Sequence, residues 1–314
     1  MAMANEEAPS SADNENPSPV QLTRSFQHTL FYGDRGLRSG WRIAAFIVLV
    51  LIFSVTLNLA LDKAFHVPKT STPGPEQLFL QEFLLFILVF LPACLMAWLE
   101  RRSVGDYGLP IQSLFGVRFW QGCALGVAEI VVLMGSIAAC GGYTLGGLNL
   151  HGAAIFKWAL YWALFFIVVG LFEEFAFRGY LQFTLADGIG FWPAAWILSL
   201  GFGAVHLANK GEGWVGAAGV AMIGLIFALA LKRTGNLWLA VGWHAAFDFG
   251  ETFLFSVPNS GAVFPGHLSN ATLHGATWLT GGTVGPEGSV FSFVTMAAAA
   301  LFIHKALPPR KTPG

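Results

Sequence analysis

Three short polar motifs interrupt the most apolar part of the chain. Glu-Glu-x-x-x-Arg occupies residues 173–178, Phe-x-x-x-His occupies 202–206, and His-x-x-x-Asp occupies 244–248. Charged groups are expensive to bury in or beside hydrocarbon, so such groups usually have a functional role. Together the motifs supply two histidines and at least one free carboxylate. That set is enough for hydrolysis, because a glutamate can take a proton from water and a histidine can position that water or share the proton.

The first motif contains two adjacent glutamates. Glu174 and Arg178 are four residues apart, so they share a helix face and can form an ion pair. Glu173 lies about 100° round the helix from Glu174 and lacks that local partner. Two interpretations stay open. Either both glutamates cap a helix at the membrane edge with Arg178 as a positive-inside anchor, or Glu174 and Arg178 form a structural pair and Glu173 is a free base facing a cavity.

The second and third motifs are ambiguous when each is taken alone. Phe202, His206 and Asn209 fall on one helical stripe, where a lone histidine is more often a core residue than a catalyst. His244 and Asp248 share a helix face, and a carboxylate near an imidazole fixes its tautomer and raises its basicity. The same two side chains can instead form a polar clamp between membrane helices.

The residues allow two kinds of hydrolytic site. In one, a glutamate activates water while a second histidine with a polar neighbour stabilises the oxyanion. In the other, Glu173, His206 and His244 bind Zn²⁺ and leave one position open. The His-Glu-x-x-His helix typical of zinc proteases is absent from the sequence. A zinc cofactor is therefore an alternative rather than a requirement.

Composition places these motifs in a membrane protein. Of the 314 residues, 55% are hydrophobic and 11% are charged, and the mean hydropathy is +0.61. A soluble domain carries about 25% charged residues. The formal net charge is −1, so charge gives no indication of a nucleic-acid partner. The protein is therefore expected to lie in a lipid bilayer.

Eight apolar stretches are candidates for spanning helices, because about 20 apolar residues cross a bilayer. They are residues 41–64, 77–99, 117–140, 153–174, 191–208, 214–232, 236–257 and 287–306. Every second loop is rich in Lys and Arg, which by the positive-inside rule places both termini in the cytoplasm. The sequence predicts an all-α polytopic membrane helical bundle of about eight transmembrane helices, with cytoplasmic N and C termini.

The domain organisation predicted from the sequence is simple. Residues 1–40 are polar and predict a disordered N-terminal tail. Residues 41–307 form a single transmembrane domain, and 308–314 form a short basic tail. Within the spans, Glu82 is expected to reach the interface. Glu129 is expected either to line the cavity or, as the favoured alternative, to hydrogen-bond to a neighbouring helix.

Straight helices would keep the first two motifs apart. Glu173 would lie near the cytoplasmic edge, and His206 would lie about 22 Å deeper at 1.5 Å per residue. Shared chemistry requires the stretch 180–193 to lie across the interface or re-enter, or one helix to break or tilt. Gly188, Gly190 and Pro193, all in this stretch, suit a break.

The three motifs, in this order and each on an apolar span, resemble the CPBP family. That family includes the type II CAAX prenyl proteases and bacteriocin-processing or immunity proteins. The resemblance covers about residues 150–255, which would be the catalytic core. It implies an eight-helix-type bundle and an intramembrane endopeptidase whose substrate is a membrane-associated peptide or protein.

The resemblance also implies roles for individual residues. Glu173 would be the base that activates water, with His206 assisting. His244 and Asp248 would stabilise the oxyanion, and the eukaryotic CAAX enzymes have Asn in place of this Asp. The resemblance leaves metal dependence open, since such proteins are often labelled metalloproteases. The supporting site residues are Glu174, Arg178, Phe202 and Asn209.

Two other functions share these features. A proton-coupled membrane transporter could use Glu173, His206 and His244 as a proton relay, although no inverted repeat is evident. A non-catalytic bacteriocin-immunity-type membrane protein could use the same fold, although no motif position is degraded. The basic inner loops and the CPBP pattern predict an integral protein of a prokaryotic plasma (inner) membrane.

Overall fold

The computed structural model describes residues 30–33, 36–65, 74–209 and 211–308. The predicted N-terminal tail up to residue 29, and the predicted C-terminal tail from residue 309, lie outside the described residues. The chain divides into two units, Met1–Arg38 and Ser39–Gly314. In the first unit, β1 (Tyr32–Gly33) and β2 (Gly36–Leu37) pair as a small antiparallel hairpin.

Helices make up most of the second unit, and each of the eight predicted apolar stretches contains one of them. In chain order they are α1 (Ser39–Phe65), α2 (Pro75–Leu99), α3 (Val117–Ala139), α4 (Ala153–Arg178), α5 (Tyr180–Ile189), α6 (Phe191–His206), α7 (Trp214–Thr234), α8 (Trp238–Phe249), α9 (Thr277–Thr280) and α10 (Val290–Ala306). In the described part of the chain, five helical segments are long and apolar enough to cross a membrane: α1, α2, α3, α4 together with α5, and α7. The predicted all-α polytopic membrane bundle is confirmed.

Several boundaries differ from the prediction. Helix α4 continues past the predicted end at residue 174 to Arg178, because Phe175 and Arg178 are buried and extend its packed face. Helix α6 ends at His206, two residues before the predicted end. The seventh stretch is α-helical only to Phe249 and continues as a π-helical turn, Gly250–Leu254. Such turns are rare and frequently lie at functional sites.

Small residues fix the position of α8, the helix that carries the third motif. Gly122 and Gly126 are one helical turn apart on α3. A Cβ atom at Gly122 would lie 2.1 Å from the carbonyl oxygen of Leu239, and one at Gly126 would lie 2.3 Å from that of Trp243. Only glycine permits so close an approach, and membrane helices commonly pack through small residues at this spacing. Helix α8 is therefore held tightly against α3.

Helices α4, α5 and α6 form a broken hairpin. The chain breaks at Gly179 and turns at Gly190, whose φ of +89° favours glycine. Glu173 lies 17 residues before Gly190 and His206 lies 16 residues after it, so the two arms return to the same level. The rings of Phe177 and Phe202, one turn away on each arm, are 4.8 Å apart.

This hairpin removes the expected separation between the first two motifs. Helix α5 lengthens the outgoing arm, so Glu173 lies well inside that arm rather than at its end. The separation of Glu173 and His206 that straight helices would impose is therefore absent. The break that shared chemistry requires in residues 180–193 is present at Gly190.

Residues 258–288 lie between the π-helical turn and α10 and contain no Lys or Arg, so the positive-inside rule predicts them as a long outer loop, and they are called the outer loop below. It contains β4 (Thr272–Leu273), which pairs antiparallel with β3 (Tyr143–Thr144). It also contains a tight turn closed by a bridge between Asn259 and Ala262. This turn reaches the side chains of the three motifs.

Candidate active site

The three motifs meet in one cleft. Two adjoining cavities share the four side chains that the sequence predicts as catalytic: Glu173, His206, His244 and Asp248. One cavity continues past Glu129 and Glu287. The other continues past Glu82 and Asn209. The tertiary structure thus brings together residues that lie up to 75 positions apart in the chain.

The two adjacent glutamates of α4 have different surroundings. Glu174 is fully buried, and its Oε1 accepts a hydrogen bond from Arg178 Nη1 at 3.4 Å and lies 3.0 Å from His244 Nδ1. The Glu173 side chain is 22% exposed, and its Oε2 lies 3.6 Å from His244 Nε2. The arrangement matches the second interpretation from the sequence, with a buried Glu174–Arg178 pair and with Glu173 on the cleft.

Arg178 is part of the protein interior. Its side chain is 1% exposed, so the alternative in which it anchors the membrane edge is wrong. Its guanidinium carbon lies 4.2 Å from the centre of the Phe202 ring, a cation–π contact. A Cβ atom at Gly224 on α7 would lie 2.3 Å from Arg178 Nη2. Gly224 therefore provides the space that the guanidinium fills.

His206 has one ring nitrogen engaged and the other free. Nδ1 lies 2.9 Å from the carbonyl oxygen of Phe202. A carbonyl oxygen only accepts, so Nδ1 carries a proton and donates it there. In the neutral ring this leaves Nε2 as a proton acceptor on the cleft side. The backbone N–H of Asn209 donates to the carbonyl oxygen of His206 at 2.8 Å, which ties the end of α6 to the loop that follows.

His244 lies among three carboxylates. Nδ1 faces Glu174, while Nε2 lies 3.6 Å from Glu173 Oε2 and 3.5 Å from Asp248 Oδ2. The ring also stacks on Phe227, with the ring centres 5.8 Å apart. The buried glutamate therefore holds one nitrogen of the imidazole and directs the other into the cleft.

Trp243, next to His244, holds α8 to its neighbours from the opposite side. Its Nε1–H donates to Glu129 Oε2 at 2.6 Å, and Thr295 Oγ1 donates to the other oxygen of Glu129 at 3.4 Å. The predicted hydrogen bond between Glu129 and a neighbouring helix is confirmed. These contacts position the helix that carries His244.

Two residues that line the cleft, Glu82 and Asn259, are not predicted from the sequence to lie there. Glu82 is expected at the interface, yet it is half-buried on α2 and lines the cleft with Glu173. Asn259 lies in the outer loop and is 7% exposed. A loop has no periodicity that would indicate an inward-facing residue such as Asn259. For Glu82, a carboxylate within an apolar span was a signal that could have indicated a position in the cleft.

The site does not fit a zinc ion. In the part of the chain that the structure describes, no group of three His, Cys, Asp or Glu side chains is arranged to hold a metal. Glu173, His206 and His244 are thus not placed as three ligands of one ion, and no chemical step is assigned to a metal.

The comparison with known families agrees with these motifs. Residues 155–250 match the family model described as type II CAAX prenyl endopeptidase Rce1-like. The match runs from α4 to the start of the π-helical turn and contains all three motifs. No curated protein matches the chain. The match supports a membrane protease acting on a membrane-associated protein. Over residues 155–250, this chain is therefore similar to the Rce1-like type II CAAX prenyl endopeptidases.

Proposed function

We propose that this protein is an intramembrane endopeptidase of the CAAX-protease type, which hydrolyses a peptide bond of a membrane-associated protein or peptide. The observation that carries the proposal is the difference between the two adjacent glutamates. Glu174 is sealed inside the bundle with Arg178, whereas Glu173 faces a cleft that it shares with His206. The basic inner loops support a location in a prokaryotic plasma membrane.

The first step uses Glu173 as a general base. The Glu173 carboxylate takes a proton from a water molecule, and His206 Nε2 orients that water through a hydrogen bond. The water oxygen attacks the carbonyl carbon of the scissile peptide bond. A new C–O bond forms, and the π electrons of the carbonyl move onto its oxygen.

The second step collapses the tetrahedral intermediate. The imidazolium form of His244 places an N–H and a positive charge beside the oxyanion, and Asp248 stabilises that charge from the other side. The C=O bond reforms and the C–N bond breaks. The leaving nitrogen takes the proton that Glu173 holds, which returns the carboxylate to its starting state.

Glu174 and Arg178 act through their neighbours. Glu174 fixes the ring of His244 by accepting from Nδ1–H, and Arg178 balances the buried charge of Glu174. An uncompensated charge in this position would be strongly destabilising. Phe202 supports both Arg178 and His206, since its ring contacts both side chains.

The test is cleavage of a quenched fluorescent peptide by purified protein in lipid vesicles. Matched peptides with a prenylated and an unmodified C-terminal Cys-a-a-X sequence would be supplied, with and without a chelator. We expect Glu173→Gln to lower kcat by about 10²–10⁴-fold, the usual contribution of general acid–base catalysis. Glu76→Gln, a change of the same kind at an exposed position on α2, should retain activity.

The outcomes separate the proposed functions. Cleavage that survives the chelator but not Glu173→Gln supports a glutamate-based endopeptidase. Equal cleavage by wild type and Glu173→Gln contradicts the proposal. Proton flux through the vesicles without cleavage would favour the transporter alternative instead.

A further inference from the structure

The outer loop contributes one buried polar side chain that its neighbours leave unsatisfied. Asn259 is 7% exposed, and its Nδ2 has no hydrogen-bond partner among the residues that the structure describes. Buried polar groups are nearly always paired, so an unpaired amide requires a reason. The side chain lines the same cavity as Glu173 and His206.

The backbone around Asn259 is held firmly. Asn259 and Ala262 exchange two backbone hydrogen bonds of 2.9 and 2.8 Å, which close the turn. The N–H of Ser260 donates to Glu287 Oε1 at 2.6 Å, and the N–H of Gly261 donates to the carbonyl oxygen of Val284 at 2.7 Å. The segment before α10 therefore clamps the turn, and the amide of Asn259 is presented in a fixed position.

The chemistry of the third motif leaves a place for an amide donor. Asp248, when ionised, only accepts hydrogen bonds. The Asn259 side chain lines the same cavity as Asp248. Asn259 thus supplies an amide N–H to this part of the cleft from a different segment of the chain.

We infer that Asn259 is a further catalytic residue, whose Nδ2–H donates to the scissile carbonyl oxygen as it becomes the oxyanion. The inference rests on the proposed peptidase function. Asn259 lies outside the segment 155–250 that matches the family model. Within the part of the chain that the structure describes, the amide N–H makes no close hydrogen bond, so it can donate to the oxyanion from a fixed position, which is the condition for preorganised stabilisation.

The test compares kcat and KM for Asn259→Ala and Asn259→Asp in the vesicle assay. Removing one oxyanion donor typically lowers kcat by about 10²–10³-fold. We expect both variants to show that loss with KM within about threefold of wild type. Asn270→Ala, an exposed asparagine in the same loop, should keep its kcat.

Asn259→Asp distinguishes a donor role from a structural one. A kcat for Asn259→Asp within about threefold of wild type would overturn the inference, since that change keeps the shape and removes the donor. A loss that appears only in KM would also overturn it.

The two proposals fail separately. If Glu173→Gln abolishes cleavage while both Asn259 variants remain fully active, only the role of Asn259 is wrong. If Glu173→Gln cleaves like wild type, the peptidase mechanism itself is wrong.

Discussion

The bundle contains two polar clusters that differ in how fully their groups are paired. The first, here called the Glu100 network, follows the end of α2. Glu100 accepts hydrogen bonds from Arg42, from Tyr107 at 2.6 Å and from Tyr180 at 2.6 Å. Arg42 also donates to Asp187 at 2.9 Å. Every charge in this network faces an opposite charge or a donor.

The cleft cluster is paired only in part. Glu174 Oε2, Arg178 Nε and Asn259 Nδ2 are buried without hydrogen-bond partners in the described part of the chain. His244 Nε2 faces two carboxylates at 3.5 and 3.6 Å rather than one at close range. Complete pairing stabilises a fold, whereas an unpaired buried group requires an explanation, such as a ligand or a reaction that uses it. The difference supports the proposal that the cleft is the reactive region.

The electrostatics of the Glu100 network support this distinction. Burial alone raises the pKa of Glu100, but hydrogen bonds from Arg42, Tyr107 and Tyr180 outweigh it and lower the pKa below its usual range. Burial and the bond to Glu100 raise the pKa of Tyr107 to about 12. Near neutral pH the carboxylate is therefore ionised and the phenol keeps its proton, as the network requires.

Of the changes that test this difference between the two clusters, Glu174→Ala is expected to have the largest effect on stability and kcat. This change leaves Arg178 buried without its partner and frees His244 Nδ1. Breaking a buried pair in this way destabilises by about 3–5 kcal/mol, and the lost orientation of His244 should lower kcat as well. Thermal unfolding and cleavage measured on one preparation check both effects. Normal stability with normal kcat would show that Glu174 does not support the site.

A smaller effect, confined to stability, is expected from Glu100→Gln. The change keeps the shape of the side chain but removes the charge that accepts from Arg42, so about 1.5–3 kcal/mol of unfolding free energy should be lost. Because the network lies away from the cleft, kcat per folded molecule should stay within about threefold of wild type. A much larger fall in kcat at unchanged stability would erase the distinction between the two clusters.

The smallest expected effect is the change with pH in the stability that Glu100 contributes. The folded-state pKa of Glu100 is lower than its unfolded value of about 4.3. Its contribution to stability is therefore complete above pH 4.3 and is lost as the pH falls through the lowered pKa. The difference in unfolding temperature between wild type and Glu100→Gln should be constant from pH 6 to 8 and shrink below pH 4.3. A difference that stays constant in acid would mean that Glu100 is not held as a carboxylate.

Much of this organisation is readable from local pattern. Apolar runs of sufficient length mark the helices, and i, i+4 spacing marks Glu174 with Arg178 and His244 with Asp248. The family motifs lie on these same elements. Such features depend on the residues of a single helix, so they can be predicted without knowing which other helices pack against it.

The remaining features depend on which helices meet. The approach of Glu173 to His206 follows from the turn at Gly190, and the burial of Arg178 requires the space at Gly224. The inward position of Glu82 depends on the packing of α2. A sequence pattern shows the face of a helix but not the element that will cover it, so these positions are not predictable from spacing.

Residue types and periodicity alone establish that this is an α-helical membrane protein with a glutamate and two histidines suited to hydrolysis. Packing decides that Glu173 rather than Glu174 faces the cleft, and that a loop asparagine joins it. The reason is physical. Local hydrogen bonds and hydrophobicity form each helix, but only close contact between helices determines which charges are paired, which are sealed from the cleft, and which are left for a substrate.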